Sequence, residues 1–338
     1  MYDFQRSRQS AKATANIVSI SVLGRPARRP AENAARLALT AEIIEALIEQ
    51  SHWHPIAGVL LPAGFFRHGP PFGAEVPAAR AELFAALPLG RQLISLLAEL
   101  HLVSRGVVMV VGVDTNRLAR QRYRGDQMMV ALSGDRLISV VRKVFPSDLD
   151  TSGWWQRPYV VNPQDFGDAG RRIMLPGGMT AEVSVCYDAF AYSEMVLGRS
   201  AKRRHLRFGF TETGRVGAIV AEKRDAWMAA HLKRLNTEAA DVSLVGIHGF
   251  EHPGRDGYWQ RHGLATCSAA TEGRPAIGAA HFASALPTPQ SSPLAAARAP
   301  VKHLTDGGHR RAHGLRPISS MVVSQQGRPA ALLRLFQV

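Results

Sequence analysis

Two hydrophobic periods alternate along the chain. Ile17-Val18-Ser19-Ile20-Ser21-Val22 alternates as a strand does, and Ala31–Gln50 follows with Ala35, Leu37, Leu39, Ile43, Ile44, Leu47 and Ile48 on one helical stripe. Ala57–Pro62 is short and wholly apolar, the pattern of a strand covered on both faces. Residues 67–78, rich in Pro and Gly, read as a loop. Leu89–Ser104 predicts a second helix, and Val107–Val113 a β-branched strand. Asp126–Leu132 and Arg136–Lys143 flank Ser133-Gly134-Asp135 and predict a hairpin. Residues 144–178 are loop-rich, with Pro146, Pro158, Pro163 and Pro176. Thr180–Val185 alternates into Cys186, Arg224–Leu235 reads as a helix, and Val242–Ile247 as an apolar strand. Ile318–Ser324 and Pro329–Leu335 predict a closing hairpin around Gln325-Gln326-Gly327. Helices alternating with buried strands make an α/β chain, and the hairpins make its sheets mixed. The expected organisation is one domain over 1–338: a core of about 15–285, an irregular excursion over 286–315 and a closing hairpin over 316–336.

Composition narrows the class. With 338 residues, 46% of them hydrophobic, the chain can bury a sizeable core and is not disordered. Two cysteines, Cys186 and Cys267, exclude a disulfide scaffold and favour a reducing, cytoplasmic compartment. No apolar run reaches the roughly 18–20 residues of a bilayer span. The basic Arg6, Arg8 and Lys12 precede Ala15–Leu23 as a secretory signal would require, but that stretch reads as a strand. The net charge of +14 comes mostly from scattered arginines, with small knots at Arg25–Arg29, Lys202–Arg207 and Arg310–Arg311. Without a nucleic-acid module this does not make nucleic acid the expected partner, although an arginine-driven binder stays the third reading. No Gly-x-Gly-x-x-Gly or Walker loop supports a nucleotide cofactor.

The candidate chemistry lies in two segments. Val183-Ser184-Val185-Cys186-Tyr187-Asp188 runs a buried strand into a thiol and a polar turn. Such a turn exposes the sulfur and aims the next backbone N–H at the reacting atom, which suits a nucleophile; the alternative is an inert buried cysteine. Leu137–Lys143 is an apolar strand ending in a lysine, where an ammonium lowers a neighbouring thiol's pKa and stabilises an oxyanion. The alternative there is an ordinary snorkelling lysine. His248-Gly249-Phe250-Glu251-His252 lacks the His-Glu-x-x-His order and is flanked by helix breakers, so no metal is expected. Cys267 sits among small residues as core. Trp154-Trp155 either caps a pocket or anchors its loop.

Together these segments resemble the nitrilase superfamily of carbon–nitrogen hydrolases. DQMMVALSGDRLISVVRKVF, ending just past Lys143, is similar to that family's strand–turn–strand–lysine segment. EVSVCYDAF is similar to its nucleophile segment, 43 residues on from Lys143 to Cys186. GVLLPAGFF falls where the family has its first catalytic strand, WQRHGLATCSAATEGRPAIGAAHF resembles its late helix–strand unit, and MVVSQQGRPAALLRLF its closing hairpin. The resemblance covers roughly 15–336, with no clear counterpart for 286–315. It implies a four-layer α-β-β-α sandwich, association into a homodimer or higher homo-oligomer, no metal or organic cofactor, and a small-molecule nitrile or amide substrate. It also implies a Glu–Lys–Cys catalytic set. Cys186 is then the nucleophile, Lys143 its electrostatic partner, and the Tyr187 backbone N–H part of an oxyanion hole. His248, Glu251 and His252 fall where the family's pocket walls lie, and Trp154 is a further substrate-pocket candidate. The third catalytic member does not carry over: the family's Pro-Glu falls on Pro62-Ala63. Glu75, Asp114, Asp148 or Glu182 is then required as a substitute acid/base, or the chemistry is slow or stops at acyl transfer. The remaining alternative is a catalytically impaired ligand-binding or assembly protein on the same scaffold.

Overall fold

A computed structural model describes residues 14–116, 125–134, 136–147, 160–190, 208–211, 213, 215–237, 239–270, 273–288, 294–296 and 314–338. In chain order its strands begin with β1 (Asn16–Leu23), β2 (Ile56–Leu60), β3 (Phe66–His68) and β4 (Val108–Thr115). The hairpin β5 (Gln127–Ser133) and β6 (Arg136–Arg142) follows, then β7 (Val160–Val161), β8 (Arg172–Met174), β9 (Thr180–Val185), β10 (Phe208–Phe210) and β11 (Val216–Ala218). The last five are β12 (Val242–Phe250), β13 (Ala276–Phe282), β14 (Ala295–Ala296), β15 (Ser319–Gln325) and β16 (Arg328–Gln337).

Strand β1 organises the molecule because one of its edges serves two neighbours. Asn16–Ser19 pair in parallel with β2, whereas Val22 and Leu23 pair with β13. Its other edge runs antiparallel to β16 along most of its length. The main sheet therefore continues on one side as β2-β4-β5-β6 and on the other as β13-β12-β9-β8. These two halves face each other and enclose apolar side chains from both, among them Ile17, Val110, Met129, Val183 and Leu244. Antiparallel hairpins at β5–β6 and β15–β16 beside parallel central strands make the sheet mixed.

Strand alternation separates the two faces. In β1, Val18, Ile20 and Val22 point outward to helices α1 (Asn33–Glu49) and α3 (Pro88–Val103), and Ile17 points inward. The serines at 19 and 21 keep that inner face narrow, and Ser19 Oγ donates to the Gly278 carbonyl at 2.5 Å. Helix α1 buries Leu39, Ile43, Ile44 and Leu47, and α3 buries Leu89, Leu93, Leu97 and Leu100, at the three- and four-residue spacing of one helical face. Each buried leucine contributes about 1.5–3 kcal/mol. On the opposite side, the π-helical stretch Trp259–Leu264 and helix α5 (Ala265–Ala270) pack on β13 and complete the α-β-β-α layering; α4 is Ala221–Thr237. Among the described residues no single helix is long and apolar enough to cross a membrane.

Stretches read as loop or irregular hold the short strands β3, β7, β8 and β14 and a helix. Part of the stretch expected to be loop begins helix α2 (Pro77–Ala86). Pro77 occupies its first turn, where proline's missing N–H costs nothing and its fixed φ favours a helix start. Arg80 and Phe84 are its buried residues.

His281, in β13, is fully buried and stacks on Phe65 with ring centroids 6.0 Å apart. Burial, then the positive charges of Arg36 and His248, hold its pKa well below the ordinary 6.5. The folded protein thus keeps this imidazole neutral while the unfolded chain protonates it, so stability falls as pH drops through about 6.5. His281→Leu is expected to remove up to about 1.4 kcal/mol per pH unit of that dependence. Urea unfolding at pH 7, 6 and 5 checks this: parallel pH dependence in the two proteins would contradict it.

Candidate active site

Four strand ends converge on a cavity of about 370 Å³ between the two halves of the sheet. Lys143 arrives from the end of β6 and Cys186 from the end of β9, while Asp114 and His248 lie in β4 and β12; all four line the cavity. Strand alternation accounts for the last two. In β4, Val108, Val110 and Gly112 face inward and Asp114 is the next inward position. In β12, Gly246 faces Met129 of the opposite half and His248 is next on that face. Both glycines mark close approach. A Cβ on Gly112 would lie 2.2 Å from the Pro62 carbonyl oxygen, and one on Gly246 would lie 2.2 Å from Met129 Sδ. The polar side chain two residues beyond each glycine thus enters a narrow space.

Cys186 ends β9 with φ of 50°, a left-handed conformation rare for a side-chain-bearing residue and costing on the order of 1–3 kcal/mol. The chain turns sharply there into the 3-10 segment Cys186–Phe190. Asp188 in this turn is fully buried and clasps the opposing strand end: its Oδ1 accepts the Val144 and Phe145 N–H groups at 3.0 and 2.9 Å, and Arg171 Nη1 donates to its Oδ2 at 3.0 Å. The two amides follow Lys143 directly, so this carboxylate sets lysine and cysteine side by side. Further buried pairs, Arg142 with Asp126 and Asp165, and Arg80 with Asp165, fix the strand end behind them.

Lys143 is 2% exposed, with Nζ donating to Gln127 Oε1 at 2.8 Å and lying 5.7 Å from the centre of the Tyr187 ring. Tyr187 packs edge-on against Trp259, which also lines the cavity. His248 Nε2 lies 3.2 Å from both carboxylate oxygens of Asp114, and Arg67 Nη1 lies 3.7 Å from Asp114 Oδ2. His248 and Cys186 line the same cavity as Lys143 and Tyr187.

The electrostatics separate the two thiols. Burial pushes the Cys186 thiol up, but the Lys143 and His248 charges and the His248 hydrogen bonds outweigh it and hold the thiol below its ordinary value. Burial likewise pushes His248 down, and the charges of Asp114 and Cys186, with hydrogen bonds to both, raise it to about 10. Both shifts favour a thiolate beside an imidazolium, with the Lys143 charge on the same wall. The fully buried Cys267 is pushed well up by its burial and by the Glu182 and Asp188 charges. A low-pKa thiol in a cavity with fixed cations is equipped for nucleophilic attack on an electrophilic carbon.

The other residues singled out in the sequence lie elsewhere. Glu251 is on the surface and pairs with Arg25 at 2.8 Å, and His252 Nδ1 meets Ser284 Oγ at 2.8 Å. Both follow the end of β12, where the chain leaves the sheet. Glu75 lines a second and larger cavity of about 870 Å³, with Trp227, Phe210 and Lys223, which lacks a cysteine or histidine among its described lining residues. Glu182, buried in β9, acts on Cys267. Ala63 is fully buried beside the glycines. Asp148 and Trp154 lie outside the described residues. The coupling of His248 to Asp114 was not read from the sequence, although the Gly-x-Asp and Gly-x-His patterns in two facing strands carried a signal for it.

Solved structures resemble this fold at low identity. An amidase of the nitrilase superfamily from Nesterenkonia AN1 aligns over 95% of this chain and 90% of its own, with 14% identity and a TM-score of 0.46. A carbon-nitrogen hydrolase from Helicobacter pylori G27 aligns over 96% and 89%, with 12% identity and a TM-score of 0.45. A CN-hydrolase superfamily protein from Xanthomonas campestris, with an arsenic adduct in its active site, aligns over 80% and 76%, with 13% identity and a TM-score of 0.43. Neither a protein-family model nor a curated protein matches the chain.

Proposed function

We propose that this chain is a nitrilase-type hydrolase that cleaves a non-peptide C–N bond of a small amide or nitrile through a covalent Cys186 intermediate. The reading rests on one observation: Cys186, in a left-handed turn, shares a cavity with the buried Lys143. The Cys186 thiolate attacks the carbonyl or nitrile carbon. In the amide case the developing oxyanion is met by the Lys143 ammonium and the Tyr187 backbone N–H. Loss of the amine leaves a thioester, and water then releases the acid and restores the thiol. A cavity of about 370 Å³ has the size of a small-molecule site. A second copy of the chain is the expected macromolecular partner, and the cytoplasm the expected compartment. The methyl of Ala63 favours a second reading, a ligand-binding or assembly protein on this scaffold, because a missing acid/base forfeits about 10²–10⁴ in rate.

Iodoacetamide separates the two readings. In the folded protein at pH 7, peptide mass spectrometry is expected to find Cys186 carboxamidomethylated at least about tenfold faster than Cys267, since the thiolate is the reactive form. Reaction at pH 6 should remain substantial. Equal, slow labelling of both cysteines removes the hydrolase reading and leaves the binding protein.

A further inference from the structure

We propose that His248, held by Asp114, performs the proton transfers for which Ala63 has no side chain, so that the site runs on a Cys186–His248–Asp114 relay beside Lys143. This rests on Cys186 being the nucleophile. Three geometric facts support it. His248 lines the same cavity as Cys186 and lies 3.2 Å from both oxygens of a buried carboxylate, so one imidazole adjoins the nucleophile's cavity and an orienting anion. The two side chains come from facing strands at the inward position after a glycine, which fixes their approach. They also fill the space next to the Pro62-Ala63 segment. A Cβ on Gly64, whose φ is +66°, would lie 3.0 Å from Asp114 Oδ2 and 3.2 Å from His248 Cδ2. The room beside this turn is thus taken by a carboxylate and an imidazole supplied from neighbouring strands.

The proton balance closes with these groups. In the resting site the proton is on His248 and the negative charge on Cys186. When the thiolate attacks an amide carbon, its electron pair forms the C–S bond and the carbonyl π pair moves to oxygen. Collapse of that intermediate breaks the C–N bond as the imidazolium gives its proton to the departing nitrogen. Nε2 is committed to Asp114, so Nδ1 exchanges the proton. The thioester sulfur is now neutral, and the imidazole has lost one of the two anions that favoured its protonated form. It takes a proton from water, the hydroxide adds to the thioester carbon, and the C–S bond breaks to return the thiolate and the imidazolium. One amide and one water become one acid and one amine. The charged and titratable groups around His248 are Asp114, Cys186 and Lys143, Arg67 behind Asp114, Asp126 on the cavity wall and the neutral His281 on the neighbouring strand.

The test uses the full chain and p-nitrophenyl acetate, whose leaving group needs no proton. At a pH above the variant's alkylation midpoint, His248→Gln should therefore acetylate at Cys186 at nearly the wild-type rate yet release acetate about 10²–10⁴-fold more slowly. Intact mass should show acetyl-enzyme accumulating on the variant and cleared in the wild type. The pH at which iodoacetamide alkylation of Cys186 half-saturates should rise in His248→Gln, and by a smaller amount in Asp114→Asn. Asp114→Asn supplies the same readouts should the histidine variant not fold. Deacetylation within about threefold of wild type in the variants, with an unmoved alkylation profile, overturns the relay while Cys186 stands as nucleophile. A wild-type Cys186 no more reactive than Cys267 removes the underlying hydrolase reading instead.

Discussion

Lys143→Met is expected to lower the rate of Cys186 acylation by about 10²–10³-fold, the usual cost of removing one aligned oxyanion donor. Methionine keeps most of the stem's volume and deletes only the charge. The buried ammonium acts twice on the sulfur: its charge opposes the burial that would otherwise raise the thiol, and it lies where an oxyanion forms. Two measurements follow. The half-saturation pH of iodoacetamide alkylation should move upward, and kcat/KM for p-nitrophenyl acetate should fall; the acetyl-enzyme, once formed, should also clear more slowly, because deacylation forms an oxyanion at the same place. His248→Gln is expected to slow clearance far more than acylation, so the pair of variants separates the oxyanion donor from the proton carrier. An unmoved alkylation profile in Lys143→Met would show that the ammonium does not act on the thiol.

Local pattern made much of this arrangement legible. The strand leading to Lys143 and the strand leading to Cys186 were readable because period-2 apolar runs end abruptly at both residues, and the resemblance in their spacing joined them. Helix α2 was not readable, because Pro77 sits in a stretch dense with Pro and Gly where loop signals and a helix-start signal look alike. His248 was placed on a pocket wall but not as the partner of Asp114. The two lie in β12 and β4, strands that do not pair with each other, and only the facing of the two sheet halves brings them together. The same long-range fact separates His248 from its sequence neighbours. Gly249 breaks the run with φ of +151°, so that Glu251 and His252 leave toward the surface while His248 stays inside. Proximity in sequence made those three look like one cluster, and strand geometry divides them. The clasp at Asp188 was hidden for a related reason: in sequence it is one residue of a turn, and its function is to bind backbone amides of a strand end more than forty residues away.

Asp188→Asn is accordingly expected to destabilise the fold by about 3–5 kcal/mol, the range for breaking a buried ion pair from one side. An asparagine can still accept the Val144 and Phe145 amides through its carbonyl, in the place of Oδ1. Its NH2 group then replaces Oδ2 and confronts Arg171 Nη1 donor to donor. Arg171 is fully buried, so water cannot take over the lost contact, and its bonds to the Arg142 and Asp165 carbonyls do not replace the carboxylate it faced, although the Asp168 charge stays near. The variant should also loosen the approach of Lys143 to Cys186, because the amides that Asp188 holds are the two after the lysine. Alkylation of Cys186 should thus shift to higher pH even in the fraction that remains folded. Pairing the change with Arg171→Met separates the two effects. If the cost comes from the stranded guanidinium, the double variant should recover at least about 1 kcal/mol relative to Asp188→Asn, the coupling expected of residues in direct contact. If the cost comes from the amides alone, the two changes should add. Urea unfolding of the four proteins at pH 7 measures the coupling, and full additivity would mean that Asp188 acts by holding backbone and not by neutralising Arg171.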